Sequence, residues 1–350
     1  MERSNSGTSQ REASIARGHL RAYNSRYFLV RISGLIIVFF LVLVINFILP
    51  RLMPGNFADT YIAELLKDNV RGINVNLLTA QINKLFGTNL PLSAQFILYL
   101  KEVLQFPPNF GPSFEYYPVP AWNIVMKALP WTFMLLIASQ IPAWALGEYF
   151  GVYLAKNKGK KMDKIFQPIL WFVNSFPTFF IGIILILLFA IDFKILPAFG
   201  AYSSFPDAIS VSIHAILPVL TLIIGYFPVY TIVSRSAALD ILSSDFATSL
   251  RAQGLSLRLL MKKIVRNTVL PSLSQLFMTL GILIGYIFVV EYAFSYPGIG
   301  TVIENAILTH DFPVLEASLY VAALMVLFGN LIADLLYPLI DPRVSYAKRA

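Results

Sequence analysis

The residues best placed to do chemistry in this 350-residue chain are a few carboxylates within long apolar segments. Glu148, Glu291, Glu316 and Asp334 each lie inside such a segment, towards one of its ends. A carboxylate inside lipid is costly and usually faces a bundle interior or a water-filled path. An ion-coupled transporter would need these groups near the middle of the bilayer. Their positions therefore favour pairing, or placement at the membrane surface, over contact with a transported solute.

Other common catalytic and metal-binding patterns are missing from the sequence. The chain has no cysteine and only three histidines, His19, His214 and His310, which are scattered along it. This excludes disulfides and thiolate metal sites, and it makes a histidine metal site a poor interpretation. The phosphate-binding pattern GxxxxGK[ST] and the pattern HExxH do not occur. We expect no catalytic site, no metal and no cofactor in this chain, and we expect it not to be an enzyme.

The elements that must position the carboxylates are membrane helices. Hydrophobic residues make up 57% of the chain, charged residues 13%, and the mean hydropathy is +0.68, whereas soluble domains carry about 25% charged residues. The composition therefore indicates an integral membrane protein. Six apolar segments are long enough to cross a bilayer. These predicted spans are 32–49, 130–155, 165–191, 213–233, 270–292 and 313–337.

The segments between the spans differ in charge, and this predicts the topology. A basic tail (1–31), the turn after the second span, the loop 234–269 and the tail 338–350 together hold 20 of the 27 Lys and Arg residues. Basic residues favour the cytoplasmic side. Both termini are therefore predicted to be cytoplasmic. The basic charge follows from topology and from contact with membrane lipid, so nucleic-acid binding is not needed to explain it.

The excursion 50–129 is predicted to be extracytoplasmic and nearly neutral. It contains two candidate amphipathic helices, 58–68 and 92–104, followed by a stretch rich in proline and aromatic residues. The aromatic content argues against disorder. Aromatic rings in such a stretch could stack on sugars, but an aromatic belt at the membrane surface is the more frequent arrangement. The remaining five spans form a core at 130–337.

The loop 234–269 contains the most informative local pattern. Asp245 can cap a short helix, and Gly254 can end that helix in a left-handed turn. Ser256 can cap a second helix, and Pro271 suits the first turn of the next span. One apolar stripe and one basic face are predicted on the second helix: Leu257, Leu260, Met261, Ile264 and Val265 for the stripe, and Arg258, Lys262 and Arg266 for the basic face. The pattern predicts a helix, a glycine elbow and a basic amphipathic helix.

This loop resembles a known sequence motif. The run RAQGLS followed by IVRNTVLP is similar to the cytoplasmic signature loop of ABC-importer permeases, and more narrowly to the B-type permease of the dipeptide/oligopeptide class. The segments MPGNFAD, NLPLSAQFILYL and FSYPGIG also match that family. The YYP segment before ALPWT is similar to a subgroup associated with oligosaccharides as well. The sequence departs from the family pattern at Thr248, Ser249 and Leu250.

The resemblance carries expectations about fold, site and partners. It implies an all-α polytopic membrane protein with six transmembrane helices, both termini cytoplasmic, in a MetI-like permease bundle. It also places this multi-pass protein in the plasma or inner membrane. It implies partnership with a second homologous permease, an extracytoplasmic solute-binding protein and two ATP-binding subunits, which would hold ATP and Mg. The loop would be a coupling helix seated in a cleft of an ATPase. The residues expected to make this contact are Asp245, Phe246, Leu250, Arg251, Ala252, Gly254, Leu255 and Ser256.

A self-contained channel or an ion-coupled secondary transporter is the alternative function. Its basic loop would bind only lipid. The missing phosphate-binding loop and the single elbow favour the importer permease, since force must then arrive from a partner. The sequence leaves open whether the solute is a peptide or an oligosaccharide.

Overall fold

A computed structural model of the protein describes residues 32–49, 51, 80, 90–199 and 208–340. Within these ranges the chain is helical, and its β-structure is limited to one isolated bridge between Pro112 and Pro120. The helices, in chain order, are α1 (Ile32–Leu49), α2 (Leu92–Leu104), α3 (Ala121–Lys156), α4 (Lys161–Asn174), α5 (Thr178–Leu185), α6 (Ala208–Ser243), α7 (Asp245–Ala252), α8 (Leu257–Ala293), α9 (Ile299–Leu308) and α10 (Phe312–Ile340). Helix α5 continues as a seven-residue π-helix, Ile186–Asp192.

Four helices are long and apolar enough to cross a membrane alone, namely α1, α3, α6 and α10. Two more crossings are possible if each of two bent pairs counts as one span. One pair is α4 with α5 and the π-helix, bent by 99°, and the other lies within α8, bent by 68° between Leu259–Leu280 and Gly285–Ala293. The part of the chain that is described thus holds four to six spans. This confirms the prediction of an all-α polytopic membrane protein.

Most predicted spans are shorter than the helices that contain them. Helix α3 begins at Ala121, directly after Pro120 and well before the predicted start at 130. Helix α6 runs to Ser243, beyond the predicted end at 233. Hydropathy marks only the part of a helix that suits lipid, whereas both helices continue past it into contacts with other parts of the protein.

Pro271 does not begin a helix, so that prediction was wrong. It lies inside α8, which joins the predicted amphipathic helix and the predicted fifth span into one helix of 37 residues. A proline removes one backbone donor from a helix. Hydroxyls next to it bond other carbonyls of the same stretch: Thr268 donates to the Val265 carbonyl at 2.9 Å, and Ser272 donates to the Val269 carbonyl at 3.3 Å.

The predicted third span, 165–191, is not one helix. It breaks at Ser175–Pro177, between α4 and α5. Proline disfavours helical geometry in the residue before it, and it cannot donate to the preceding turn. The chain therefore turns at this point, and the Ser175 hydroxyl donates to the Trp171 carbonyl at 2.8 Å.

Helices α3 and α6 cross at close range. A Cβ atom at Gly147 would lie 2.5 Å from the Tyr230 Cβ, and one at Gly151 would lie 2.5 Å from the Thr231 carbonyl oxygen. Glycines four residues apart allow the backbones of two membrane helices to approach closely. Either crossing point would have to open to accept a side chain.

The bundle has two ends that matter for function. The elbow end carries the α3–α4 turn and the α7–α8 loop, and the far end carries α2, the segment 105–120, α9 and the start of α10. Helix α2 has the bounds that the sequence predicts, whereas the other predicted amphipathic helix, 58–68, lies outside the described residues. Segment 105–120 is ordered: Phe110 and Phe114 are buried, and Asp311 accepts a bond from the Glu115 backbone at 3.2 Å.

Candidate functional site

Helix α7 begins one residue earlier than the sequence suggests. Ser244, not Asp245, holds the extended N-cap position, and Asp245 lies in the first turn. Ser244 makes no side-chain cap, because its hydroxyl donates to the Ile241 carbonyl at 2.7 Å. Asp245 in the first turn and Arg251 in the last turn both complement the helix dipole. The prediction that Asp245 caps the helix is therefore wrong, although its charge still suits its place.

The elbow after α7 is a Schellman turn. Gly254 has φ 75°, its N–H donates to the Arg251 carbonyl at 2.9 Å, and the Leu255 N–H donates to the Leu250 carbonyl at 3.3 Å. This is the paired bonding that ends a helix with a left-handed residue. Leu250 and Leu255 also belong to one apolar cluster, as is usual for this motif. The predicted glycine turn is confirmed.

One face of the elbow is held by a separate apolar core, which we call the elbow cluster. It joins the elbow ends of α3 and α6 to α7 and the first turns of α8. Its buried members are Val152, Ala155, Ala238, Ala247, Leu250, Leu260, Met261 and Ile264. Burial of this apolar area fixes α7 and the start of α8 against the bundle.

The other face of the elbow is exposed. Of the eight residues that the resemblance assigns to coupling, six are exposed: Asp245, Phe246, Arg251, Ala252, Gly254 and Ser256. Leu250 is buried and Leu255 is partly buried. Phe246 leaves 44% of its surface exposed on this face. The structure thus separates two residues that hold the elbow from six that a partner could touch.

The apolar stripe on the second helix is narrower than predicted. Leu260, Met261 and Ile264 are buried in the elbow cluster, whereas Val265 is 39% exposed. Lys262 and Arg266 are exposed, as expected for the basic face. The side chains of Leu257 and Arg258 lie outside what the structure describes.

Glu148 has a role that the sequence did not reveal. It is buried between α3, α6 and α8, where Ser234 Oγ donates to its Oε2 and Thr268 Oγ1 donates to its Oε1 at 2.5 Å. We call these three residues the Glu148 node. The sequence predicts that Glu148 is either paired or placed at the membrane surface. The structure shows it buried and hydrogen-bonded. The sequence cannot show which hydroxyl residues bond to Glu148, since serine and threonine are common in the spans. Only the contacts between helices that are distant in sequence reveal these partners.

The Glu148 node lies directly next to the elbow cluster. On each of the three helices, the node residue is one helical turn from a buried member of the cluster. These pairs are Glu148 with Val152, Ser234 with Ala238, and Thr268 with Ile264. Residues four apart share a helix face, so the node and the cluster form one continuous contact between the bundle and the elbow.

An ion pair ties α4 to α6 at the same end. Arg235 donates to both carboxylate oxygens of Asp163, at 2.7 and 2.9 Å, and the Gly159 N–H donates to Asp163 Oδ2 at 2.9 Å. Bidentate contacts of this kind fix orientation as well as distance. The loop 157–160 is therefore anchored to the helix that leads into the elbow.

The carboxylates near the far end also serve contacts within the protein. For both, the sequence predicts either pairing or placement at the membrane surface. Glu316 pairs with Arg51 at 3.3 Å. Glu291 is 0% exposed and accepts a bond from the Gly300 N–H at 2.7 Å, so it is buried and hydrogen-bonded within the protein. The Asp334 side chain lies outside the described residues.

Neither of the described histidines belongs to a metal-binding group. His214 Nδ1 lies 2.8 Å from the Ser210 carbonyl on its own helix. Within the described part of the chain, no three His, Cys, Asp or Glu side chains come together as metal ligands. His19 lies outside that part.

The described residues thus form a multi-helix membrane bundle with an exposed helix–glycine–helix elbow at one end. Comparison with known families gives the class of protein: residues 147–346 match the family of binding-protein-dependent transport system inner membrane components. The chain belongs to this family. It is thus a multi-pass permease subunit of a transporter.

Individual relatives match over most of their length. The chain is 31% identical to the probable peptide ABC transporter permease protein y4tP of Sinorhizobium fredii, over 91% of this chain and 99% of the relative. It is 31% identical to the glutathione transport system permease protein GsiC of Salmonella typhimurium, with the same coverage. It is 32% identical to the oligopeptide transport system permease protein AppB of Bacillus subtilis, over 75% of this chain and 83% of the relative.

Proposed function

We propose that this permease forms half of an inward path for peptides. Separate ATPase subunits would drive transport by binding the elbow. The observation that carries the proposal is the two-sided elbow. Its exposed face includes Phe246, Asp245 and Arg251, while its buried face is packed into the elbow cluster. An exposed aromatic ring among charged residues suits a partner's pocket. Movement of that partner would move the helices to which the elbow is fixed.

Movement of the elbow would reach the other helices through specific contacts. Helix α8 begins at the elbow and continues for 37 residues to the far end. The Glu148 node and the Arg235–Asp163 pair join α3, α6 and α4 to the same region. Because packed helices move as units rather than deform continuously, displacement of α7 would reorient several helices together.

The partners follow from what the chain does not encode. Its sequence contains no phosphate-binding loop, so ATP and Mg would be held by two ATP-binding subunits rather than by this chain. A second homologous permease would complete the path, and an extracytoplasmic binding protein would deliver the solute. The elbow end would face the cytoplasm, in agreement with the predicted charge distribution.

Peptides are the favoured solutes, because peptide and glutathione permeases are among the relatives that match nearly from end to end. Tyr116 and Tyr117 are exposed at the far end and leave a sugar-binding surface as a candidate, but no relative described above is named for an oligosaccharide. Uptake assays with peptide and oligosaccharide libraries, in the complete transporter, would decide between the two classes.

Reconstitution tests the coupling mechanism. Vesicles with the permease pair, both ATPases and the binding protein should accumulate peptide only when ATP is supplied. A cysteine at Phe246 should crosslink to an ATPase subunit, whereas a cysteine at Phe106, which is 95% exposed at the far end, should not. Solute movement by this chain alone, without ATPases, would contradict the proposal and favour a self-contained channel.

A further inference from the structure

A cavity at the far end has features of a ligand site that the elbow does not explain. It is open to solvent and has a volume of about 610 Å³ between the segment 116–119, the first turns of α3, the loop 295–298 and α9. A cavity of this size is within the range that holds small organic ligands. It lies at the opposite end of the bundle from the elbow, where solute would enter.

Three polar side chains of this cavity, one of them charged, are available to a ligand. Lys127, Ser295 and Asn305 line it, all three are exposed, and their side chains bond to no other described residue. No carboxylate lines the cavity. The single ammonium group is therefore uncompensated within the described residues, so the cavity favours an anionic group on the ligand.

Most of the remaining wall is apolar, with Val119, Trp131 and Val302 contributing, although Tyr116 and Thr301 also line it. A ligand with an anionic end and an apolar body would therefore match both Lys127 and this wall, whereas a neutral sugar has no charge to pair with the ammonium group. A peptide C-terminus has this chemistry, because its carboxylate and its last side chain are both attached to the same Cα atom.

The cavity is preformed by buried hydrogen bonds. Buried Glu291 holds the Gly300 N–H at 2.7 Å, and Thr132 Oγ1 accepts a bond from the Ile299 N–H at 3.0 Å. These contacts fix the loop 295–298 and the start of α9 against α8 and α3. On the other side, the Ser113 N–H donates to the Val119 carbonyl at 2.8 Å, and the Ser113 hydroxyl donates to Asp311. A preorganised site loses little ordering entropy when it binds.

We propose that this cavity is an entry subsite that binds the C-terminal carboxylate of a peptide, with Lys127 as the charged contact. The proposal rests on the proposed peptide-import function and adds the ligand group and the residue that recognises it. Lys127 would give a charge-assisted hydrogen bond, and the apolar wall would receive the last side chain of the peptide.

Cysteine protection tests the site directly. The natural chain has no cysteine, so an Asn305→Cys variant in the complete, reconstituted transporter carries one thiol in this subunit. Trileucine with a free carboxylate should slow its labelling, and trileucine amide should do so far less. In a Lys127→Gln background, the concentration of free-acid trileucine that halves the labelling rate of the thiol should rise about tenfold. This is the change expected for loss of a charge-assisted hydrogen bond.

Lys101→Gln is the matched control, since Lys101 is exposed at the same end but does not line the cavity. It should leave protection unchanged. Three results would overturn the proposal. The free acid and the amide of trileucine could protect the thiol equally, the protection could survive Lys127→Gln, or the protection could depend only on the content of anionic lipid. Failure of the wild-type transporter to take up any peptide would instead reject the proposed function, whatever the labelling shows.

Discussion

Thr268 Oγ1 lies 2.5 Å from Glu148 Oε1, which joins two helices whose contacting residues are 120 positions apart in the chain. Ser234 on a third helix donates to the other oxygen of the same carboxylate. The carboxylate thus has a donor on each oxygen, although it is buried in a region predicted to lie within the membrane. Since each node residue is one turn from the elbow cluster, the node is where motion of the elbow would first reach the bundle.

Removal of the Glu148 carboxylate should therefore loosen the elbow. Glu148→Ala leaves the buried Ser234 hydroxyl without its partner and leaves Thr268 with only its bond to the Val265 carbonyl, so it should lower the free energy of unfolding by about 2 kcal/mol. Glu148→Gln keeps the volume and an acceptor, and should have a much smaller effect. Thermal unfolding of the purified transporter and the ratio of peptide uptake to ATP hydrolysis would measure the two consequences. Glu304→Ala, a substitution on α9 outside the node, is the control and should change neither quantity.

Phe246 is expected to matter for docking and not for folding. Its ring is 44% exposed and lies outside the elbow cluster, so Phe246→Ala should change the stability of the permease by no more than about 0.5 kcal/mol. Loss of a central aromatic contact should weaken ATPase binding by at least about tenfold. Copurification of the ATPase subunits with the permease would measure this. Normal recovery of the complex would show that the ATPases hold a different surface.

The topology can be checked with two introduced thiols. Tyr117 at the far end and Ser256 at the elbow are both exposed, and the chain has no other cysteine. In intact cells, a membrane-impermeant reagent should label Tyr117→Cys and leave Ser256→Cys unmodified until the membrane is opened. Labelling of both in intact cells would place the two ends on one side and contradict the predicted orientation.

The elements of this fold were predictable where one physical property decides them. Apolar length located the four helices that are long enough to cross a membrane alone, and Gly254 marked the end of α7 because few other residues accept its backbone angles. Helix ends were predicted less well: hydropathy cannot reveal that α6 continues to Ser243 or that α8 runs through Pro271. Those extensions depend on the elbow cluster, whose members come from four helices.

The same limit applies to the candidate site. Sequence resemblance predicted the elbow and its eight residues, but it did not separate buried Leu250 from exposed Phe246, because that requires knowing which face of α7 meets the bundle. The partners of Glu148 were also hidden. Serines and threonines occur in several spans, and only the crossing of α3 with α6 and α8 brings Ser234 and Thr268 to one carboxylate.

Gly254 provides the sharpest test of the elbow, because the chain contains a matched control. Gly254 and Gly159 have φ values of 75° and 76°, and a Cβ atom at either would meet no atom within 4 Å. Valine at either position should therefore cost a similar conformational free energy, about 1–2 kcal/mol, without a steric clash. Only Gly254→Val should also uncouple ATP hydrolysis from peptide uptake, because it alone distorts the turn between α7 and α8. Gly254→Asn, which tolerates the left-handed conformation, should restore much of the coupling. Equal uptake per ATP in the two valine variants would show that the shape of the elbow is not what couples the subunits.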